Sequence, residues 1–210
     1  MGFSLWNQSF QEWWPQGLLM FQLLAAVWVI FGINLCLGGR LNRCGLRPRT
    51  WEGLFGILYM PFLHGDWSHL WNNSLVYLVF AAFIVAFNPG DLPVVTIAIT
   101  LMSGLGVWLF ARPNTIHVGA SGVIFGYMGF CVALAYMVKN PVTAIIFIAT
   151  IFFYSNRIWL LFPIRKRMSW EGHLFGFASG IITALYLPLF REYYRQLLPL
   201  LSQLGYVPPL

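Results

Sequence analysis

The sequence predicts an all-α, polytopic membrane protein: a bundle of six transmembrane helices. Three observations carry that prediction. Of 210 residues, 59% are hydrophobic and 9% charged, with a mean hydropathy of +0.72; an ordinary soluble domain carries about 25% charged residues. Six apolar runs reach or approach the roughly 20 residues that a helix needs to cross a bilayer core. Short polar turns separate those runs. Residues 1–210 read as a single domain with its core at about 17–190.

The first run, 17–37, follows no basic segment and carries no small-residue cleavage site, so it is expected to remain as a helix. The second and third, 67–87 and 92–110, are joined by Asn88-Pro89-Gly90-Asp91, a tight-turn signature. Lys139-Asn140-Pro141 separates the fourth run, 120–138, from the fifth, 142–160, which Ser155, Asn156 and Arg157 interrupt. The sixth spans 172–190, and the tail beyond Arg191 is expected to start as an amphipathic helix end and fray. Between the first two runs, residues 53–62 are too apolar for a solvated loop and too few to cross a bilayer. An interfacial or re-entrant segment is expected there.

The net charge of +6 arises from twelve basic residues against six acids: Glu12, Glu52, Asp66, Asp91, Glu171 and Glu192. No soluble basic face exists for nucleic acid, and the basic clusters are expected at the headgroups of the lipid bilayer. Nine of the twelve basic residues fall on the face opposite the termini, which by the positive-inside rule places that face in the cytosol. Cys36, Cys44 and Cys131 are odd in number and form no CxxC, so neither a disulfide framework nor zinc is supported. No cofactor is expected.

Polar and ionisable groups at membrane depth are costly and point to function. His64, His69, Asn73 and His173 are such groups. Because the spans alternate in direction, the starts of the second, fourth and sixth share one membrane face, which brings these residues level with Ser121. A serine hydroxyl is a weak nucleophile that needs a base. At a helix N-terminus, free amides and the helix dipole favour developing negative charge. Ser121 reads equally as a simple cap or packing residue, and His173 as an interfacial anchor.

The glycines are expected to bring the two together. Gly172, Gly176 and Gly180 repeat every four residues, as do Gly122 and Gly126, with Gly129 close by; small faces of this kind let helices pack with their backbones near contact. No third group orients the histidine. Glu171 is two residues away and points elsewhere on a helix, and Asp66 lies in a loop, so a Ser-His dyad is expected. His69 and Asn73, four apart on one helix face, offer N–H donors to an oxyanion. His64 lies five before His69, off the zinc-helix spacing, and no carboxylate or thiolate joins the histidines. No metal is assigned, although a three-histidine site stays open. His117 reads as a loop residue, and Asn72 and Ser74 as secondary polar contacts.

Three motifs in register, across 47–186, resemble the rhomboid family of intramembrane serine proteases. They are His64-x4-His69-x3-Asn73, Gly119-Ala120-Ser121-Gly122 and Gly172-His173-x2-Gly176-x3-Gly180. The resemblance implies Ser121 as nucleophile and His173 as general base. It also implies His69, Asn73 and the Ser121 amide as oxyanion donors, with His64 as a structural partner. Phe125 stands where the family often has tyrosine, and the family's first-loop Trp-Arg pair has only Trp51-Glu52 as its nearest equivalent.

The implied reaction is hydrolysis of single-pass transmembrane proteins near the membrane boundary, in the plasma membrane. The fifth span and the loop 161–170 would be gate and cap, with Met168 over the dyad. The family keeps its termini in the cytosol. That orientation is retained against the charge count because four arginines fall in the first loop. Two alternatives remain. One is a rhomboid-like pseudoprotease that binds clients without cutting them. The other is a small transporter or channel relaying protons through its histidines.

Overall fold

The computed structural model describes residues 2–154, 159–162 and 169–203. Among these residues are eight helices: α1 (Gly2–Cys36), α2 (Trp51–Tyr59), α3 (Trp67–Phe87), α4 (Asp91–Phe110), α5 (Ser121–Met137), α6 (Pro141–Tyr154), α7 (Trp170–Leu185) and α8 (Leu187–Gln203). Short 3₁₀ turns occupy Arg40–Cys44 and Met60–Phe62. The chain is an all-α membrane bundle, and α1, α3, α4, α5, α6 and α7 follow the order of the six apolar runs. Three stretches, Trp13–Cys36, Trp67–Phe87 and Asp91–Phe110, are long and apolar enough to cross a bilayer by themselves. The 17-residue α5 and the 14-residue stretch of α6 are shorter.

The short α5 is the axis of the bundle. It packs on α7, α4, α3 and α6 and is buried along most of its length. A helix enclosed on all sides can be apolar all round. Its neighbours complete a core around Phe80, Ile84, Leu92, Val95, Ile99, Tyr127 and Phe130. Two polar pairs meet inside this core, where an unpaired polar group is costly. The Tyr127 hydroxyl and Thr96 Oγ1 lie 2.5 Å apart, and Trp28 Nε1 donates to Ser74 Oγ at 3.0 Å.

The tightest contact is between α5 and α7. A Cβ built on Gly176 would sit 2.0 Å from the Gly122 carbonyl oxygen, and one on Gly180 would sit 1.8 Å from that of Gly126. The two glycine series interlock one repeat out of step, and any side chain at these positions would push the helices apart.

The first loop is built rather than extended. α2 exposes Trp51, Phe55, Leu58 and Tyr59 on one side. Its inner side packs Ile57, with Leu46 and Met60, against Val107 and Ala111 at the end of α4. An apolar outer face on a nine-residue helix fits an interfacial segment. Two first-loop arginines are bonded to main-chain carbonyls. Arg49 donates to the Leu109 and Ala111 carbonyls at 2.8 and 2.9 Å, capping α4, and Arg47 donates to the Arg43 carbonyl at 3.1 Å.

The C-terminal part departs from expectation. The sixth run is not one helix to residue 190: α7 stops at Leu185 and α8 leaves at 88°. Pro188 explains the break, because its ring would meet the carbonyl four residues back and it lacks an N–H to continue the ladder. Beyond Arg191 the chain is helical to Gln203, and the residues after it lie outside the described ones. Arg191 holds α8 to the bundle through a two-pronged ion pair with the buried Asp91, both contacts at 2.7 Å.

Candidate active site

Each part of the site arrives on a different element. Asp66 caps α3, its Oδ1 accepting from the His69 amide at 2.8 Å. His69 and Asn73 therefore sit in the first two turns of α3. Ser121 is the first residue of α5, where main-chain N–H groups have no intrahelical acceptor. Ser169 caps α7 by accepting from the Gly172 amide at 3.3 Å, which starts the helix just before His173.

The interlocked glycines set α5 and α7 level, and Nε2 of His173 lies 3.1 Å from Ser121 Oγ. Nδ1 lies 3.0 Å from the Leu160 carbonyl oxygen. A carbonyl only accepts, so Nδ1 carries the proton and Nε2 presents its lone pair to the serine hydroxyl. The group that orients the imidazole is a main-chain carbonyl, which leaves no signature in a sequence. Phe125 stacks on the same ring at a centroid distance of 4.3 Å and 21° between planes, so the aromatic face against His173 exists without a tyrosine hydroxyl.

Across the site, His69 and Asn73 face Ser121 over Gly119. That glycine has φ +116°, and a Cβ on it would fall 2.5 Å from Cε1 of His69. No other residue fits there. Asn73 Nδ2 lies 3.0 Å from Nε2 of His64, an arrangement in which the amide donates to a neutral imidazole and keeps a second N–H free. His64 is itself anchored: Asn42 donates to its carbonyl at 3.1 Å, and Asn34 of α1 donates to Asn42 at 3.0 Å. Burial, and then the neighbouring His69 charge, lower the His64 pKa to about 4.

These residues share one cavity of about 550 Å³ lined by His69, Asn73, Ser121, His173, His117 and Ser169, among others. A pocket of about 30 Å³ opens beside Ser121 between α3 and α5, walled by Val76, Phe80, Ile124, Phe125 and Met128. The acids do not serve the imidazole. Asp66 is a helix cap, and Glu171 pairs with Arg112 at 2.7 Å. Among the described residues no three metal-ligating side chains converge. Asn72 donates to the Ser68 carbonyl at 2.7 Å and Ser74 to that of Leu70 at 2.8 Å. His117 is more than a loop residue: it is buried, and its ring contacts Thr115 and Ser169. Burial lowers its pKa. Ser155, Asn156 and Arg157, and Met168 with most of the expected cap, lie outside the described residues.

The chain is also similar to known proteins. The model of the Rhomboid domain family matches residues 50–190. Uncharacterized proteins of Mycobacterium tuberculosis and Mycobacterium bovis are 29% identical over 181 residues, covering 82% of this chain and 75% of the relative. One from Mycobacterium leprae is 28% identical over the same length, covering 82% and 72%. A family match across most of the chain, on an all-helical bundle with apolar spans, makes this chain an integral membrane protein that belongs to the rhomboid family.

Proposed function

We propose that this chain is an intramembrane serine endopeptidase that cuts single-pass transmembrane proteins near the membrane boundary, acting as one six-helix domain in the plasma membrane. The observation that carries this reading is the pairing of Ser121 Oγ with the unprotonated Nε2 of His173, whose other nitrogen is tied to the Leu160 carbonyl.

The chemistry follows from that tautomer. As Ser121 Oγ attacks the scissile carbonyl carbon, its proton passes to Nε2 of His173. The imidazolium so formed keeps its Nδ1–H on the Leu160 carbonyl. The carbonyl oxygen becomes an oxyanion and accepts from the Ser121 amide, the free N–H of Asn73 and the His69 ring. Collapse of the tetrahedral species breaks the C–N bond, and His173 gives its proton to the leaving amine. Water then enters from the aqueous face and loses a proton to His173. Its attack on the acyl ester gives a second tetrahedral species, whose collapse breaks the C–O bond to Ser121, releases the carboxylic acid and returns the His173 proton to Ser121 Oγ.

A substrate helix must unwind to present its carbonyl, because its backbone groups are otherwise bonded to one another. The small pocket beside Ser121 favours a glycine or alanine at the cut. α6 contacts α5 and the edge of α3, and in this reading its displacement from α3 admits the substrate. In this reading the cavity opens at the outer face, as in the family orientation.

The test is cleavage of a single-pass reporter protein in proteoliposomes. Wild type is expected to cut it within its membrane segment, and Ser121→Ala and His173→Ala are expected to leave it whole. Client capture by intact wild type without any cut product would favour a pseudoprotease instead.

A further inference from the structure

His117 is 5% exposed and stands four residues before Ser121, on the loop between α4 and α5. Its main chain is fastened to the first loop. Its N–H donates to the Leu46 carbonyl at 2.9 Å, and its carbonyl accepts from the Leu46 amide at 3.0 Å. Its ring bridges two hydroxyls: Nε2 lies 2.9 Å from Thr115 Oγ1, and Nδ1 lies 2.5 Å from Ser169 Oγ.

The partners of Thr115, His117 and Ser169 fix which atom carries each proton. Thr115 spends its hydroxyl proton on the Arg112 carbonyl at 2.7 Å, so toward His117 it accepts, and Nε2 carries the ring proton. Nδ1 is then a bare acceptor, and Ser169 donates to it. With its proton directed there, Ser169 Oγ turns its lone pairs to the Gly172 amide. The Ser169 carbonyl accepts from the His173 amide at 3.4 Å. The first turn of α7, which carries His173, therefore hangs on Ser169, and the Ser169 rotamer hangs on His117.

The same turn is held a second time, by Glu171 on Arg112. Both clamps come from the α4–α5 loop, which also delivers Ser121. One short segment thus places both members of the pair.

We propose that His117 is a positioning residue for the proposed peptidase. As the neutral Nε2–H tautomer it orients Ser169 as the cap of α7, and so sets His173 against Ser121. This inference rests on the serine-peptidase reading. It assigns to His117 no contact with substrate.

The experiment compares wild type, His117→Phe, His117→Asn, Ser169→Ala and the His117→Phe/Ser169→Ala double variant. It measures the rate of Ser121 labelling by a fluorophosphonate, and kcat and KM for reporter cleavage. Phenylalanine keeps an aromatic ring, somewhat larger than imidazole, and removes both the acceptor and the donor. Asparagine offers a carbonyl oxygen close to the position of Nδ1.

His117→Phe and Ser169→Ala are each expected to slow labelling and lower kcat about tenfold, the scale of a lost hydrogen bond that orients a reacting group, with KM little changed. His117→Asn is expected to recover most of the rate. The double variant is expected to be no slower than the slower single, as for residues acting in one chain. His117→Phe labelling at the wild-type rate, or single effects that multiply in the double, would overturn the proposal. If His117→Phe does not fold, Ser169→Ala and His117→Asn decide it: a wild-type rate in the first, or equal slowing in the second, counts against it. Failure of wild type to label at all is a different result. It sinks the peptidase reading and the inference with it.

Discussion

The carbonyl oxygen of Leu160 lies 3.0 Å from Nδ1 of His173, in the place where an acidic side chain would complete a triad. A neutral acceptor fixes the tautomer without adding a negative charge, so the site is organised without a carboxylate. Asp66, a candidate by sequence position, caps α3 instead. Asparagine caps helices as well as aspartate does. Asp66→Asn is therefore expected to keep the labelling rate within about threefold of wild type. Loss of a true triad carboxylate costs about 10⁴-fold, so a drop of that size would reinstate Asp66 as the orienting group.

His64 is expected to make the protein sensitive to acid. Its pKa in the fold is lowered to about 4 by burial and by His69, against about 6.5 in an unfolded chain. Between these values the unfolded chain takes the proton first, so stability rises with pH across that window. The contribution is fully present above about pH 6.5 and is lost as pH falls toward 4, by on the order of 3 kcal/mol. Protonation would also turn Nε2 from an acceptor into a donor facing the Asn73 amide. Unfolding in detergent at pH 7 and at pH 4.5 measures the loss, which His64→Gln is expected to shrink. An equal loss in that variant would assign the acid sensitivity to another group.

Much of this was legible in the sequence. The alternation of spans placed Ser121 level with His173, and the four-residue glycine spacing forecast the close α5–α7 contact now seen at Gly176 and Gly180. His69 and Asn73 shared a helix face by spacing alone. Other features were not legible, for definite physical reasons. A backbone carbonyl such as that of Leu160 carries no residue signature. His117 lies in a loop, where spacing implies no geometry, and its place is fixed by contacts distant in sequence: the antiparallel bridge to Leu46 and the bond to Ser169. Pro188 did signal the end of α7, but the apolar run continued across it and masked the bend.

The α5–α7 contact sets a sharp limit on side-chain size. Gly176→Ala and Gly180→Ala would each drive a methyl into a main-chain carbonyl, and relief requires moving a helix. Each is expected to destabilise by about 3 kcal/mol or more and to separate Ser121 from His173. Gly32→Ala in α1 is the control, since nothing lies within 4 Å of its added carbon. Melting curves for the three variants should place Gly32→Ala at or above wild type and the other two well below it. Wild-type melting of Gly176→Ala would contradict the packing described.

Arg191 and Asp91 join the C-terminal helix to the start of α4. Asp91 is 1% exposed, so Arg191→Ala leaves a buried carboxylate unpaired. Breaking such a pair by removing one partner costs about 3 kcal/mol or more. Adding Asp91→Asn to Arg191→Ala is expected to recover part of that loss, because the uncompensated charge is gone. Chemical denaturation of the single and double variants measures it. A single variant as stable as wild type would mean that α8 docks without this pair.

The central claim is that Ser121 is a nucleophile activated by His173. Fluorophosphonate labelling of the purified protein, with the modified residue located by peptide mass spectrometry, tests it most directly. The account predicts an adduct on Ser121 in wild type, lost in Ser121→Ala and suppressed in a folded His173→Ala. An unmodified Ser121 in folded wild type, or an adduct that forms as fast in His173→Ala, would contradict it.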